Sequence, residues 1–435
     1  MLLEVSRERP AVLPADRATL LIEHASELVT LGWSFGDGAR GGLWQGDPGL
    51  IHDGAIAIGG DGRVLAVGPT SRVRDAVDLA PKARLYNASG CAVIPGFIDA
   101  CGEVLVPPGE PPATPARSTR RRRVQSAANP LAAALALSEH DLVAAIWRRL
   151  DLQLLSGTTG TVLTSGYGLE LDDELRLMRA VQAVTDVGPL TVMGTIRAGY
   201  TSPDDPVISA EQYVDMLTHD LLPEIGEDEL ATLFTLAADH SVLSLEQSWR
   251  VLRAAQTHGL QRRLELSASS HPGILDLADE LGVGSLVLLD PPSEADLSRI
   301  ADTALSVVLP VGAKGIAEWG KQTARRLIEL GVPLALGTGH GPMSAASFTM
   351  LEAVQFACTR LALSPAEALV AASVNASYAC NTGDDVGPLE PGKRADLLIL
   401  NSPSYARLPF DASDDPIRAV VKDGWMVVDQ GDRVA

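Results

Sequence analysis

The sequence predicts an α/β fold: a (β/α)8 TIM barrel inserted in a small β-sandwich made from the N- and C-terminal segments. Three observations carry this expectation. Short apolar runs separated by Gly-rich turns fill the chain before residue 91. From residue 91 onward, β-like runs alternate with amphipathic helical patterns, as parallel strands joined by helices do. After residue 385 the pattern returns to β structure, so the barrel interrupts a domain that both ends share. The expected boundaries are 18–90 and 385–432 for the composite sandwich, and 91–384 for the barrel.

The first segment offers strands at 19–23, 54–58 and 63–68. The last two flank Gly59-Gly60-Asp61-Gly62 and read as a hairpin. Barrel strands are expected at 92–98, 161–163, 190–193, 232–236, 263–266, 285–289, 305–309 and 333–336. Helical patterns lie between most of them, at 142–155, 173–182, 210–222, 245–258 and 317–330. Eight units in succession favour closure into a barrel over an open, doubly wound sheet. In the tail, 417–422 and 425–428 flank Asp423-Gly424 as a second hairpin.

Composition narrows the partners. A formal charge of −20 argues against non-specific nucleic-acid binding and against an anionic membrane surface. The longest apolar runs, such as 131–137, are too short to span a bilayer. The start of the chain lacks the apolar core of a secretory leader. Four cysteines (Cys91, Cys101, Cys358 and Cys380) are scattered without a CxxC pair, which fits free thiols in a reducing, cytoplasmic setting.

The stretch Val93-Ile94-Pro95-Gly96-Phe97-Ile98-Asp99-Ala100-Cys101-Gly102-Glu103 reads as a buried strand ending on two side chains able to reach a common point. Alternate strand residues face one side, so Cys101 and Glu103 project together. This stretch resembles the first barrel strand of the amidohydrolase superfamily, "PGhIDxHxH", whose two histidines bind the catalytic metal. Gly157-Thr158-Thr159, Thr164-Ser165-Gly166-Tyr167-Gly168-Leu169 and Asp173-Glu174-Leu175 are similar to the second-strand region of imidazolonepropionases. Ser244-Leu245-Glu246-Gln247-Ser248 is similar too. The tail Val386-Gly387-Pro388-Leu389-Glu390-Pro391-Gly392-Lys393-Arg394-Ala395-Asp396-Leu397 is shared by the wider superfamily.

The resemblance implies hydrolysis of a cyclic amide or related C–N bond by one bound zinc or iron. It also implies specific departures. The two strand-one histidines fall on Cys101 and Glu103. In "LHADE" after strand five, the histidine falls on Glu265 and the acid–base glutamate on Ala268. The strand-eight aspartate of "ATDFNPG" falls on Gly339, beside His340. The "GAHA" histidine after strand three falls on Ile196, and "DHLEH" has become Val287-Leu288-Leu289-Asp290-Pro291. Tyr167 matches a substrate-contacting residue, or serves the turn around it.

The expected function is therefore that of an imidazolonepropionase-like protein without the usual metal site and without a cofactor. It would be a non-hydrolytic binding or scaffold protein, working as a homodimer or paired with an active relative. The alternative is a working cyclic amidase with a rebuilt site. Cys101, Glu103, Glu265 and His340 are all types that hold zinc. Without metal, Cys101 could act as nucleophile with His340 as base, or Glu103 and Glu265 as a carboxyl pair. Equally, a glutamate at a former ligand position could pair with a nearby arginine. Finally, Arg117 and Arg120-Arg121-Arg122-Arg123 follow the Pro-rich run 107–112. Arg120 and Arg121 are the expected contacts for a small anionic ligand, since arginine grips carboxylate or phosphate at two points.

Overall fold

The computed structural model describes residues 17–32, 38–104, 135–167, 170–185, 187–199, 209–339, 349–411 and 416–434. Arg117, Arg120–Arg123 and His340 lie outside them. In chain order the strands are β1 Arg17–Val29, β2 Leu50–Gly59, β3 Val64–Pro69, β4 Asp78–Asn87, β5 Ala92–Pro95 and β6 Phe97–Asp99. Next come β7 Thr158–Ser165, β8 Thr191–Ala198, β9 Leu233–Ala237, β10 Gln261–Leu266, β11 Ser285–Leu288, β12 Ser306–Pro310 and β13 Leu334–Gly337. The last four are β14 Leu397–Leu400, β15 Ile417–Lys422, β16 Trp425–Asp429 and β17 Asp432–Arg433. They divide into two units. Of the described residues, 17–32, 48–95 and 388–434 form one, and 38–47 with 96–387 form the other.

The first unit is a single nine-stranded sheet, ordered β17-β16-β15-β14-β5-β1-β2-β3, with β4 beside β1. Leu20 and Ile22 of β1, Ile56 and Ile58 of β2, Leu397 and Ile399 of β14 and Val421 of β15 share one buried core. Strands from both halves of the sheet can share a core only if the sheet bends over on itself. The expected sandwich is thus one continuous sheet, closed by backbone hydrogen bonds from Val64 to Lys393 and from Ala395 to Gly62. The superfamily tail motif supplies this closure. It also buries Asp396, which accepts from Lys422 Nζ and from the Asp423 amide.

One boundary needs correction. Residues 92–95 belong to this sheet as β5, between β1 and β14, and not to the barrel. The run 92–98 looked like one strand because both halves are apolar. Pro95-Gly96 divides it. A Cβ at Gly96 would meet Thr159 Oγ1 at 2.3 Å, so only glycine lets the chain pass so close to β7.

The second unit is the eight-stranded parallel barrel, β6 to β13 in chain order. The sequence-based strands 161–163, 190–193, 232–236, 263–266, 285–289, 305–309 and 333–336 each fall on one of β7 to β13. Helices begin where serine caps them. Ser138 accepts from Asp141, and Ser209, Ser244 and Ser293 form capping boxes with Gln212, Gln247 and Asp296. The pattern at 210–222 is interrupted: helix Ala210–Met216 passes through a wide π turn, Leu217–Leu221, before helix Leu222–Glu227. Pro223 lacks the amide donor that a regular helix would use there.

Closure depends on Asp99, which is fully buried. Its carboxylate accepts from the Thr338 amide at 2.8 Å, from Thr338 Oγ1 at 2.6 Å and from the Cys101 amide at 3.0 Å. These bonds join the end of the first barrel strand to the end of the last. The interior below is apolar, with Ile98, Val162, Met193, Leu233, Val287, Val308 and Ala335 in one cluster.

The barrel unit also claims residues 38–47, which the sequence assigned to the sandwich. The buried Gln45 side chain donates to the Leu334 carbonyl and accepts from the Leu334 amide, as a neighbouring strand would. Asn375 clamps Arg40 in the same way, through the Arg40 amide and carbonyl. Replacing Gln45 by Ala strips two partners from buried Leu334 groups. The Gln45→Ala variant is expected to lose about 2–4 kcal/mol of stability, measured by urea unfolding followed by circular dichroism.

Candidate active site at the barrel mouth

Three charged side chains meet at the C-terminal ends of the barrel strands, where this architecture places its chemistry. Glu103 follows β6 and is held in register by a bridge to Thr164 of β7. Arg197 lies on β8, with Met193 and Thr195 on the same inward face. Glu265 lies on β10, two residues beyond inward-facing Arg263. Arg197 Nη1 donates to Glu103 Oε1 at 2.8 Å and to Glu265 Oε1 at 3.4 Å, and Nη2 donates to Glu103 Oε2 at 3.4 Å. All three are enclosed: the side chains of Arg197, Glu103 and Glu265 are 8%, 13% and 5% exposed. The Glu103 carbonyl accepts from Arg149 on helix Glu139–Leu155.

The electrostatics follow from burial. Burial pushes the Glu265 carboxyl above the usual carboxylate range, against the pull of Arg197. Its Oε2 has no hydrogen-bond partner among the described residues. Burial also pushes the Cys101 thiol far up, with the charge of Glu265 adding to the effect. A thiol held in that state is a poor nucleophile, since attack needs the thiolate.

Deeper in the barrel, Arg263 is buried. It donates to Ser285 Oγ and to the carbonyls of Ala100 and Ala379, so it ties β10 to β11, to the end of β6 and to helix Val374–Ala379.

The structure thus brings Glu103 and Glu265 together through Arg197, a residue that sequence reasoning passed over. The available signal was a lone arginine in an apolar strand, Thr191-Val192-Met193-Gly194-Thr195-Ile196-Arg197-Ala198. Ile196, which aligned with the family histidine, is buried and adjacent to it. Tyr167 donates its hydroxyl to the Thr164 carbonyl at 3.1 Å. The turn before it is built by Glu174, which accepts from Ser165 Oγ and from the Gly166 amide. Gly166 has φ +91°, and a Cβ there would meet the Arg197 carbonyl at 1.9 Å. The Ser-Gly-Tyr segment therefore packs directly against the backbone that carries Arg197. His340, Arg120 and Arg121 fall outside the described residues.

Similarity to known proteins bears on the fold and the family. Residues 222–427 match the model of the amidohydrolase family. Among solved structures, the chain is similar to an adenosine deaminase from Xanthomonas campestris with bound zinc: TM-score 0.67, 20% identity, covering 97% of this chain and 95% of that one. It is also similar to the guanine deaminase of E. coli, with TM-score 0.68, 17% identity, and coverage of 94% and 98%. At these identities the likeness establishes the fold. Among characterised sequences, the imidazolonepropionase of Symbiobacterium thermophilum is 35% identical over 420 residues, 95% of this chain and 98% of its own length. That of Chloroflexus aggregans is 32% identical over 426 residues, 94% and 98%. The chain belongs to the amidohydrolase superfamily, in its imidazolonepropionase-like branch.

That family implies a metal at the barrel mouth, and the residues described there do not fit one. Two of the candidate donors, Glu103 and Glu265, are both hydrogen-bonded to one guanidinium nitrogen. Among the described residues no group of three His, Cys, Asp or Glu side chains is placed to hold an ion.

Two outcomes are expected. Iodoacetamide at pH 8 should leave Cys101 unmodified in the native protein and modify it after unfolding, as read by peptide mass spectrometry. The second concerns Glu265. A carboxyl raised in the folded state contributes stability that is complete below its unfolded pKa, about 4.3, and lost as pH rises through the folded value. Glu265→Gln removes that loss. The Tm of the variant relative to wild type should therefore climb between pH 5 and pH 8 and be least favourable near pH 4, by differential scanning calorimetry.

Proposed function

We propose that this chain is an imidazolonepropionase-like protein that binds a small ligand at its barrel mouth and does not perform metal-assisted hydrolysis. One observation carries the reading: Arg197 Nη1 sits between Glu103 and Glu265 where the family's metal chemistry is expected. Hydrolysis of this kind needs a cation that brings the pKa of bound water from about 15.7 to about 7 and leaves a coordination position open. A guanidinium offers only N–H donors and cannot take up a water oxygen as a Lewis acid does. What remains is an enclosed polar site suited to holding a ligand by hydrogen bonds. Arg120 and Arg121 would supply the contacts to a small anion, and the cytoplasm would be the setting. The protein would act as a homodimer or beside an active relative.

A second reading is favoured by a different observation. Relatives named as hydrolases match nearly the full chain, and the unpartnered Glu265 Oε2 is a buried acceptor that a substrate group or an ion would satisfy. In that case the chain opens a cyclic amide or a related non-peptide C–N bond.

The two readings separate in one assay. Purified protein, with and without added zinc, is incubated with imidazolonepropionate beside the Symbiobacterium thermophilum relative as control. Loss of substrate absorbance no faster than in buffer is the expected result. Turnover in either condition would overturn the first reading in favour of the second.

A further inference from the structure

Three features of the barrel mouth belong together. One nitrogen, Arg197 Nη1, bonds carboxylates delivered by two different strand ends, after β6 and on β10. The bond is not a surface accident, because all three groups are withdrawn from water. And the arginine's own backbone is fixed, since Gly166 lies against its carbonyl so closely that any other residue there would collide. Two buried carboxylates facing each other repel strongly at low dielectric unless a cation stands between them.

We infer that the Arg197 guanidinium is a built-in replacement for the divalent cation: it supplies the counter-charge that holds Glu103 and Glu265 together, and so the mouth takes no metal. The inference deepens the reading of a non-hydrolytic site and rests on it. The replacement is permanent where a metal is exchangeable. Arginine stays protonated throughout the physiological range, and its planar fork engages both Glu103 oxygens at once. Arg197 is accordingly a positioning residue. It aligns two acids from strand ends on either side of its own strand, which in a metal-holding member of this fold would be aligned by the ion.

The test uses the full-length protein and a charge-deletion cycle. Arg197→Met should lower Tm by about 5 °C or more, because it removes the guanidinium bonded to both buried carboxylates. The triple variant R197M/E103Q/E265Q keeps the shapes and removes the charges, so it should recover most of that loss. Arg197→Lys should fall between the two. Wild-type protein grown in zinc-supplemented medium should carry less than about a tenth of an equivalent of zinc, and added zinc should leave its Tm within about 1 °C. If the triple variant is no more stable than R197M, the counter-charge role fails. If the wild type carries close to one zinc, or zinc raises its Tm, the replacement fails even should R197M not fold. A zinc-free wild type that still opened imidazolonepropionate would overturn the non-hydrolytic reading and leave the assignment of Arg197 standing.

Discussion

A charge buried inside a barrel must be matched by a neighbour, and that constraint organises this molecule from floor to mouth. Asp99 is matched by amides and a hydroxyl, and in being matched it closes the first strand onto the last. Arg263 is matched by carbonyls, and in being matched it anchors helix Val374–Ala379 to the strands. Glu103 and Glu265 are matched by Arg197. Each buried polar side chain is costly alone and stabilising only when its partners are in place. The apolar interior around them contributes most of the burial energy but little of the specificity. The polar contacts decide which strand ends meet.

That arrangement bears on function through position. In this fold the ends of the strands carry the chemistry, and the helices and the interior carry the stability. Away from the mouth stand the strand order, the Ser-Gly-Tyr turn held by Glu174, and the tail that closes the sheet unit. At the mouth the Arg197 guanidinium stands between Glu103 and Glu265. In such a fold the side chains at the strand ends, and not the scaffold, govern the chemistry.

Much of the fold was readable because local periodicity and global position agree. Runs such as 263–266 and 305–309 are apolar and bounded by turns, and each became a strand. The break inside 92–98 was less readable, because two short apolar strands of different sheets follow each other in sequence with only Gly96 between them. The placement of residues 38–47 was not readable at all. It depends on amide side chains, Gln45 and Asn375, meeting backbone groups some three hundred residues away in sequence.

By itself, then, the sequence determined the architecture and the family resemblance, because both are written in residue identity and local pattern. It also marked Cys101, Glu103 and Glu265 as neighbours at one end of the barrel. Only the tertiary structure decided what they do there. Arg197 is on a different strand from either glutamate and carries no motif of its own. Its pairing exists because strand order and the inward-facing alternation bring β6, β8 and β10 to one mouth. Burial then fixes the outcome: it keeps the Cys101 sulfur protonated, raises the Glu265 carboxyl, and makes the arginine between the two acids necessary.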